Sequence, residues 1–578
     1  MSVQSLLQYG FFLLILTLLI KPFGGYMARV FQGQRTLLDP ALRPVERVLY
    51  RVTGVDEQTE MDWKQYAVSF VLFTFCGTLL LYGILRLQRF LPWFYPAYQI
   101  TPLTPELSMN TAISFSTTTT WQAYGGETTM SYFSQMAGLT AQNFLAGAAG
   151  LAVGVAFIRG FARQKTDKLG NFWVDLVRAL LWVLLPLALA GALVLVWQGV
   201  PMNFHPYTEV TTVEGAKQTI AQGTVAALEI IKNLGTNGGG FFNVNGAHPY
   251  ENPTPLTNLV AMLAIALLPA AFTNTFGRMI GNPRQGWMLY AVMTVLFVAG
   301  LLLCNWAEQS GNRILTQQAY VQAGSTANQS GGNMEGKEVR FGIAQSVLTA
   351  VVTSNGATGS YNSMHDSYTP LGGAVPLVSM LLGEIVYGGL GTGLYSIILI
   401  ALLGLLLAGL MVGRTPEFLG KTIGPPEAKM LTLYLLAGPL AILPLTAVAV
   451  ATRAGLAGLT TNTGAHGLTE IIFAFASSMA NNGQSFAGLN ANTPFYNLTT
   501  AVAMMVGRFG LAIPALALAG LFAAQPRRFG GSGAISTDTV TFGVLLLATA
   551  LIICGLSFFP VLTLGPVLEH LAGVRPPT

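Results

Sequence analysis

Charge is scarce in this 578-residue sequence. Asp, Glu, Lys and Arg make up 9% of it, against roughly 25% in a typical soluble domain. That shortage, with 52% hydrophobic residues, excludes an ordinary soluble fold. Many apolar runs reach the ~20 residues that cross a bilayer, so the chain reads as a polytopic, all-α membrane protein. Cysteine is nearly absent. Cys76, Cys304 and Cys554 all lie in apolar runs, which fits buried thiols and supplies neither a disulfide framework nor a zinc site. The five histidines are scattered, and none is assigned to a metal. No Asp-Lys-Thr-Gly phosphorylation motif is present. Gly420-Lys421-Thr422 hints at a P-loop, but the earlier glycine such a loop requires falls at Thr415, so the motif fails. ATP chemistry, if any, therefore has to come from a partner. No nucleophile–base set points to a membrane-embedded enzyme, and the few intramembrane carboxylates weaken a proton-coupled pump. The net charge of +5 gives no reason to expect nucleic acid as a partner.

The apolar runs predict ten spanning helices, near 4–24, 64–85, 128–158, 172–198, 255–278, 287–307, 371–411, 430–451, 496–524 and 539–563. The first lacks a preceding Lys or Arg and a following cleavage site, and reads as a retained helix. Basic residues gather in alternate loops, from Lys21 to Lys64, Arg159 to Arg178, Arg278 to Arg284, Arg414 to Lys429, and at Arg527 and Arg528. The positive-inside rule places these loops in the cytoplasm and both termini outside.

Four small-residue stretches recur roughly every 120 residues, the mark of an internal repeat. They are Ser116–Gln122, Gly235–Gly240, Thr353–Ala357 and Met479–Gln484, aligned on Trp121, Gly238, Gly356 and Gly483. Each follows a short apolar segment: Ser108–Phe115, Thr219–Leu234, Ile343–Val352 and Leu468–Ser478. Most of these are too short to span, so re-entrant half-helices are expected. Irregular backbone at membrane depth is tolerated only where protein or a water-filled cavity satisfies it. Four such loops around one axis could replace the water shell of an ion with carbonyl oxygens. The expected cation-binding residues are Thr118, Thr119 and Thr120, then Thr236, Asn237, Gly238 and Gly239, then Ser354, Asn355 and Gly356, and finally Asn481, Asn482 and Gly483. Gln122 is expected to support the first loop. Carboxylates are few beside the loops, Glu127 being the clearest exception, which disfavours a Ca²⁺ site. The half-helix C-termini should point into the membrane and add partial negative charge. Thr254-Pro255, Thr369-Pro370 and Thr493-Pro494 mark the next helix starts.

The segment Leu371–Met411 is about twice the length of a normal span. Gly388, Gly389, Gly391 and Gly393 in its middle should break it. The expectation is two helical parts joined by a loop below the pore that blocks straight passage. Glu384 and Arg508 are intramembrane charges, functional candidates by default, and Glu229 and Lys232 can pair on one helix face.

These stretches carry a resemblance. Thr119-Thr120-Trp121-Gln122, Asn237–Asn243, Thr353–Ala357, Ala480–Gly483 and Gly413-Arg414-Thr415-Pro416-Glu417 make the chain similar to the A subunit of the Kdp potassium-importing ATPase over essentially its full length. The first loop departs from the family in being all Thr before Trp121, where some members mix in Asn. The resemblance implies four helix–half-helix–helix repeats of the potassium-transporter superfamily (64–171, 172–286, 287–425 and 426–530), flanked by 1–63 and 531–578. It implies a bacterial cytoplasmic (inner) membrane location. It also implies K⁺ as bound substrate, no covalent cofactor and a sideways tunnel to a P-type ATPase subunit that uses the ATP. A small accessory C-type subunit and a very small single-span F-type subunit complete the complex. Arg414, Glu384 and Arg508 become tunnel or coupling candidates. The alternative is a stand-alone K⁺ channel or secondary transporter of the same superfamily.

Overall fold

The computed structural model describes residues 3–316, 324, 326, 331–413, 415–527 and 536–574. Among them are ten helices long and apolar enough to cross a membrane. Thr-Pro pairs start the helices as their chemistry requires. Thr254, Thr369 and Thr493 each accept a hydrogen bond from a backbone N–H of the first turn, and proline occupies the first helical position, where no N–H is needed. Thr104-Pro105 does the same for a shorter helix.

From Trp63–Phe90 onward, outer and inner helices alternate along the chain. The most apolar stretch of Ser134–Ala162 is 89% buried, whereas those of Trp63–Phe90 and Pro425–Ala451 are 22% buried. The exposed helices present apolar side chains where lipid would lie. The inner helix Ser134–Ala162 is rich in Gly and Ala, and small residues let backbones approach closely in a bilayer. A Cβ on Gly147 would come within 3.0 Å of the Gly235 Cα, and one on Gly150 within 2.6 Å of the Leu390 carbonyl oxygen. This helix thus carries a groove that receives one loop at Gly235 and another at Leu390.

Four half-helices penetrate between the spans: Pro105–Ser116, Val225–Leu234, Gly342–Asn355 and Gly464–Met479. The second starts at Val225 and not at the expected Thr219. Lys217–Ile220 instead pairs antiparallel with Thr208–Thr211 in a hairpin. Gly215 supplies the left-handed residue at its turn (φ 84°). The long segment divides as expected. Pro370–Leu381 and Thr392–Val412 are separate helices, and positive φ at Gly383, Glu384, Tyr387 and Gly391 breaks the chain between them. The last helix runs past the expected 563 to Gly573, kinked at Gly565.

Candidate ion-binding site

All four half-helices end in the same way. The residue five positions after a helical carbonyl turns its N–H back to that carbonyl: Thr119 to Ser114 (2.9 Å), Asn237 to Lys232 (2.9 Å), Thr358 to Thr353 (3.1 Å) and Asn482 to Ser477 (2.9 Å). The residues on either side take left-handed backbone. These pairs are Thr118 and Thr120, Thr236 and Gly238, Ala357 and Gly359, and Asn481 and Gly483. Such φ values are uncommon outside glycine, so their repetition at four places is a designed conformation. With its N–H directed backward, each middle residue presents its carbonyl oxygen to a neighbouring loop.

Those carbonyls close a ring. The Thr120 hydroxyl donates to the Asn237 carbonyl at 2.5 Å. A Cβ on Gly238 would collide with the Thr358 carbonyl, one on Gly359 with the Asn482 carbonyl, and one on Gly483 with the Thr119 carbonyl. Loop one therefore meets loop two, two meets three, three meets four, and four returns to one. Three of the four contact residues are glycine because no side chain fits there.

The ring separates two spaces. Gln122, Asn243, Tyr361 and Ser485, which follow the four loops, line one wide vestibule. Thr118, Thr236, Ala357 and Asn481, which begin them, line one small chamber. The loops thus run side by side from chamber to vestibule, and every half-helix points its C-terminus at the chamber. The partial negative charge of those ends favours a cation there.

The repeat register differs from the sequence alignment. Thr120, not Trp121, is equivalent to Gly238 and Gly483, and Gly359, not Gly356, holds that place in loop three. Ser354 and Asn355 lie in the last helical turn. Their side chains bond back to Ala350 O (2.7 Å) and Val351 O (2.8 Å). Gly356 caps the helix. Sequence reasoning missed Ala357, Thr358 and Gly359. The signal was available: Thr236-Asn237-Gly238, Ala357-Thr358-Gly359 and Asn481-Asn482-Gly483 share one form. Thr119, Asn237 and Asn482 sit at the middle positions, and Gly239 follows the second ring glycine, also left-handed.

Side chains brace the ring from behind. Gln122 Oε1 accepts from the Gly240 N–H (2.8 Å) while its Nε2 donates to the Gly240 carbonyl (3.2 Å). Asn481 Nδ2 donates to Thr119 Oγ1 and Met504 O, both at 2.9 Å. Gln484, not anticipated, lies 2.7 Å from His365 Nδ1 and joins loops three and four. Lys232 is wholly buried between Glu229 (2.6 Å) and Glu251 (2.7 Å), and Glu251 also accepts from the Phe242 N–H at 2.9 Å. Removing the ammonium would leave two buried carboxylates unpaired, at a typical cost of about 3–5 kcal/mol. Lys232→Met is therefore expected to lower the Tm and the yield of folded protein in detergent; an unchanged Tm would contradict this bracing role.

The chamber floor is the break in the long segment. Glu384, Gly389, Leu390, Thr392 and Arg508 line it. The Leu390 N–H donates to Thr236 Oγ1 at 2.9 Å, which ties the floor to loop two. Gly391, left-handed at φ 84°, abuts Gly150 so closely that a Cβ would collide with the Gly150 carbonyl. Gly388 and Gly393 pack against each other. Arg508 donates to Thr118 Oγ1 (3.1 Å) and Ala146 O (3.0 Å) and lies 5.1 Å from the centre of the Phe70 ring. Among the described residues it forms no ion pair within 4.0 Å. Glu384 also lines a second, apolar cavity between Met380, Leu399, Tyr434 and Phe558, so the chamber and that lateral cavity share a wall. Arg414 lies outside the described residues.

The comparisons with known proteins bear on this arrangement. A family model described as "Potassium-transporting ATPase A subunit" matches residues 10–571. The chain belongs to that family. It is 53% identical over 573 residues to the "Potassium-transporting ATPase potassium-binding subunit" of a Methylorubrum extorquens strain, covering 99% of this chain and 98% of that one. It is 52% identical over 572 residues to the protein of the same description from Bradyrhizobium diazoefficiens, covering 99% of each. Among solved structures, the potassium transporter TrkH of Vibrio parahaemolyticus matches with a TM-score of 0.50 and 13% identity, over 78% of this chain and 82% of that one. The family's A subunits thus share this chain's full length, and the TrkH likeness extends to fold alone.

Proposed function

We propose that this chain is the potassium-selecting subunit of an ATP-driven importer. The observation that carries the reading is the closed ring of four loops between one vestibule and one chamber, in a member of the A-subunit family. Backbone carbonyls at such a ring replace the hydration shell of K⁺. The binding residues are Thr118–Thr120, Thr236–Gly239, Ala357–Gly359 and Asn481–Gly483, with Ser354, Asn355 and Gly356 as the helical base of loop three. The repeats are 64–171, 172–286, 287–425 and 426–530, each contributing one loop. The chain lies in the bacterial inner membrane with both termini and the vestibule outside, as its basic loops favour.

The ion enters from the vestibule, is dehydrated in the ring and reaches the chamber, where the half-helix C-termini hold it. The floor around Gly388, Gly389, Gly391 and Gly393 prevents it from continuing straight through. Arg508 repels it from one wall and Glu384 attracts it toward the lateral cavity. That cavity is the start of a tunnel to a P-type ATPase subunit, which hydrolyses ATP; the small C-type and F-type subunits complete the complex.

Two experiments address this. ATP-dependent K⁺ uptake is measured in cells lacking other K⁺ importers, with this chain alone and with its P-type partner. Uptake only with the partner supports the importer; uptake by the chain alone would make it a channel. Separately, Gln122→Ala removes both hydrogen bonds to Gly240, worth about 1 kcal/mol each. The half-saturating K⁺ concentration should rise roughly 10-fold or more while the Tm stays near wild type. Unchanged K⁺ affinity would remove Gln122 from the site.

A further inference from the structure

One cluster of side chains takes no part in the transport path described above. Asp366 follows the third loop. His466 and Glu470 stand one turn apart on the fourth half-helix, and Glu569 comes from the last helix. His466 Nε2 lies 2.7 Å from Asp366 Oδ1 and 3.9 Å from Glu470 Oε1. One ligand atom from each of Asp366, His466 and Glu470 falls within 4.8 Å of the other two. The second ring nitrogen, Nδ1, lies 2.8 Å from Glu569 Oε1. Asn462 Nδ2 holds both ligand carboxylates, Asp366 Oδ2 at 3.1 Å and Glu470 Oε1 at 2.8 Å.

The independent observation is Glu470 itself. It is wholly buried, and its Oε2 has no hydrogen-bond partner. A buried carboxylate oxygen without a donor is costly, and this one stands beside a second carboxylate. The arrangement calls for positive charge between them.

We propose that Asp366, His466 and Glu470 form a binding site for a divalent transition metal of the zinc type, with Glu569 orienting the histidine. The donor set decides the metal class. One imidazole with two carboxylates suits Zn²⁺, whereas Ca²⁺ and Mg²⁺ take oxygen ligands alone. A ligating histidine characteristically gives its other N–H to a carboxylate, and Glu569 stands in that place. Three protein ligands leave a fourth position for water.

The site ties together the segment after loop three, the fourth half-helix and the last helix. The Asp366 N–H donates to Phe486 O at 2.7 Å, and the neighbouring His365 meets Gln484. Bound metal would thus brace the outer ends of loops three and four, and external zinc would shift the half-saturating K⁺ concentration.

The test is titration of the purified, chelator-treated complex with Co²⁺ and then Zn²⁺. Visible absorption and bound metal per chain are read. The expected result is one equivalent of Co²⁺ with a visible absorption band, displaced by Zn²⁺ and absent in Glu470→Gln. Glu569→Gln keeps all three ligands, so it should still bind but with Zn²⁺ affinity lowered roughly 10–100-fold, while retaining K⁺ uptake in chelator. A wild-type complex that takes up no stoichiometric metal would overturn the proposal and leave an imidazolium clamped between Asp366 and Glu569. Metal binding by Glu470→Gln equal to wild type would also overturn it. The wild-type absorption band decides the matter even where a variant fails to fold.

Discussion

Gly359→Ala should weaken K⁺ uptake roughly 30-fold in half-saturating concentration, the equivalent of about 2 kcal/mol. Two effects add. Gly359 has φ 67°, a conformation that costs an L-residue roughly 1–2 kcal/mol. Its added Cβ would also collide with the Asn482 carbonyl and push that oxygen from the ring. Gly238 and Gly483 occupy the same position against Thr358 and Thr119, so their Ala variants should behave alike. Loop one is the informative exception. Thr120 carries a Cβ in the equivalent place, and its hydroxyl donates to the Asn237 carbonyl. Thr120→Ser keeps that bond and should be mild; Thr120→Val loses it and should resemble Gly359→Ala. Uptake assayed over a range of external K⁺ checks the series. Wild-type affinity in Gly359→Ala would mean that the ring carbonyls do not hold the ion.

Gly391→Ala should uncouple transport. The added methyl cannot fit against the Gly150 carbonyl, and φ 84° is strained for alanine. The floor must move away from the inner helix, taking with it the bond between the Leu390 N–H and Thr236 Oγ1. The chamber would then open toward the cytoplasm. The expected result in proteoliposomes holding the complex is a K⁺ leak without ATP, with ATP-driven accumulation falling roughly 10-fold or more, as a loss of ~1.4 kcal/mol or more in coupling implies. A tight membrane with normal accumulation would show that this segment does not block the path.

The sequence made some of this legible and hid the rest for physical reasons. Spans were readable because bilayer thickness sets a length, and helix starts because Thr-Pro satisfies N-terminal backbone groups in one local way. The break after Leu381 was readable from its glycines. Loop three was misregistered because Asn355-Gly356 looks like a turn. In the structure the helix runs through Asn355 and Gly356 caps it, its N–H still bonding Val352 O at 2.8 Å. The left-handed residue that follows is Ala357 (φ 48°), a residue that gives no hint of that conformation. The last two residues of the hairpin, Thr219 and Ile220, read as part of a half-helix because the hairpin's end runs into Val225. Contacts between distant segments were beyond local pattern altogether. Glu251 with Lys232, Gln484 with His365, and Asp366 with His466, 100 positions away, exist only once the four repeats close.

The most direct measurement is an anomalous-scattering map of the purified complex with Tl⁺ or Rb⁺ in place of K⁺. An ion centred among Thr118–Thr120, Thr236–Gly238, Ala357–Gly359 and Asn481–Gly483 is the result this account requires, with its signal reduced in Gly359→Ala at limiting ion concentration. A ring without bound ion, while the complex still transports, would contradict it.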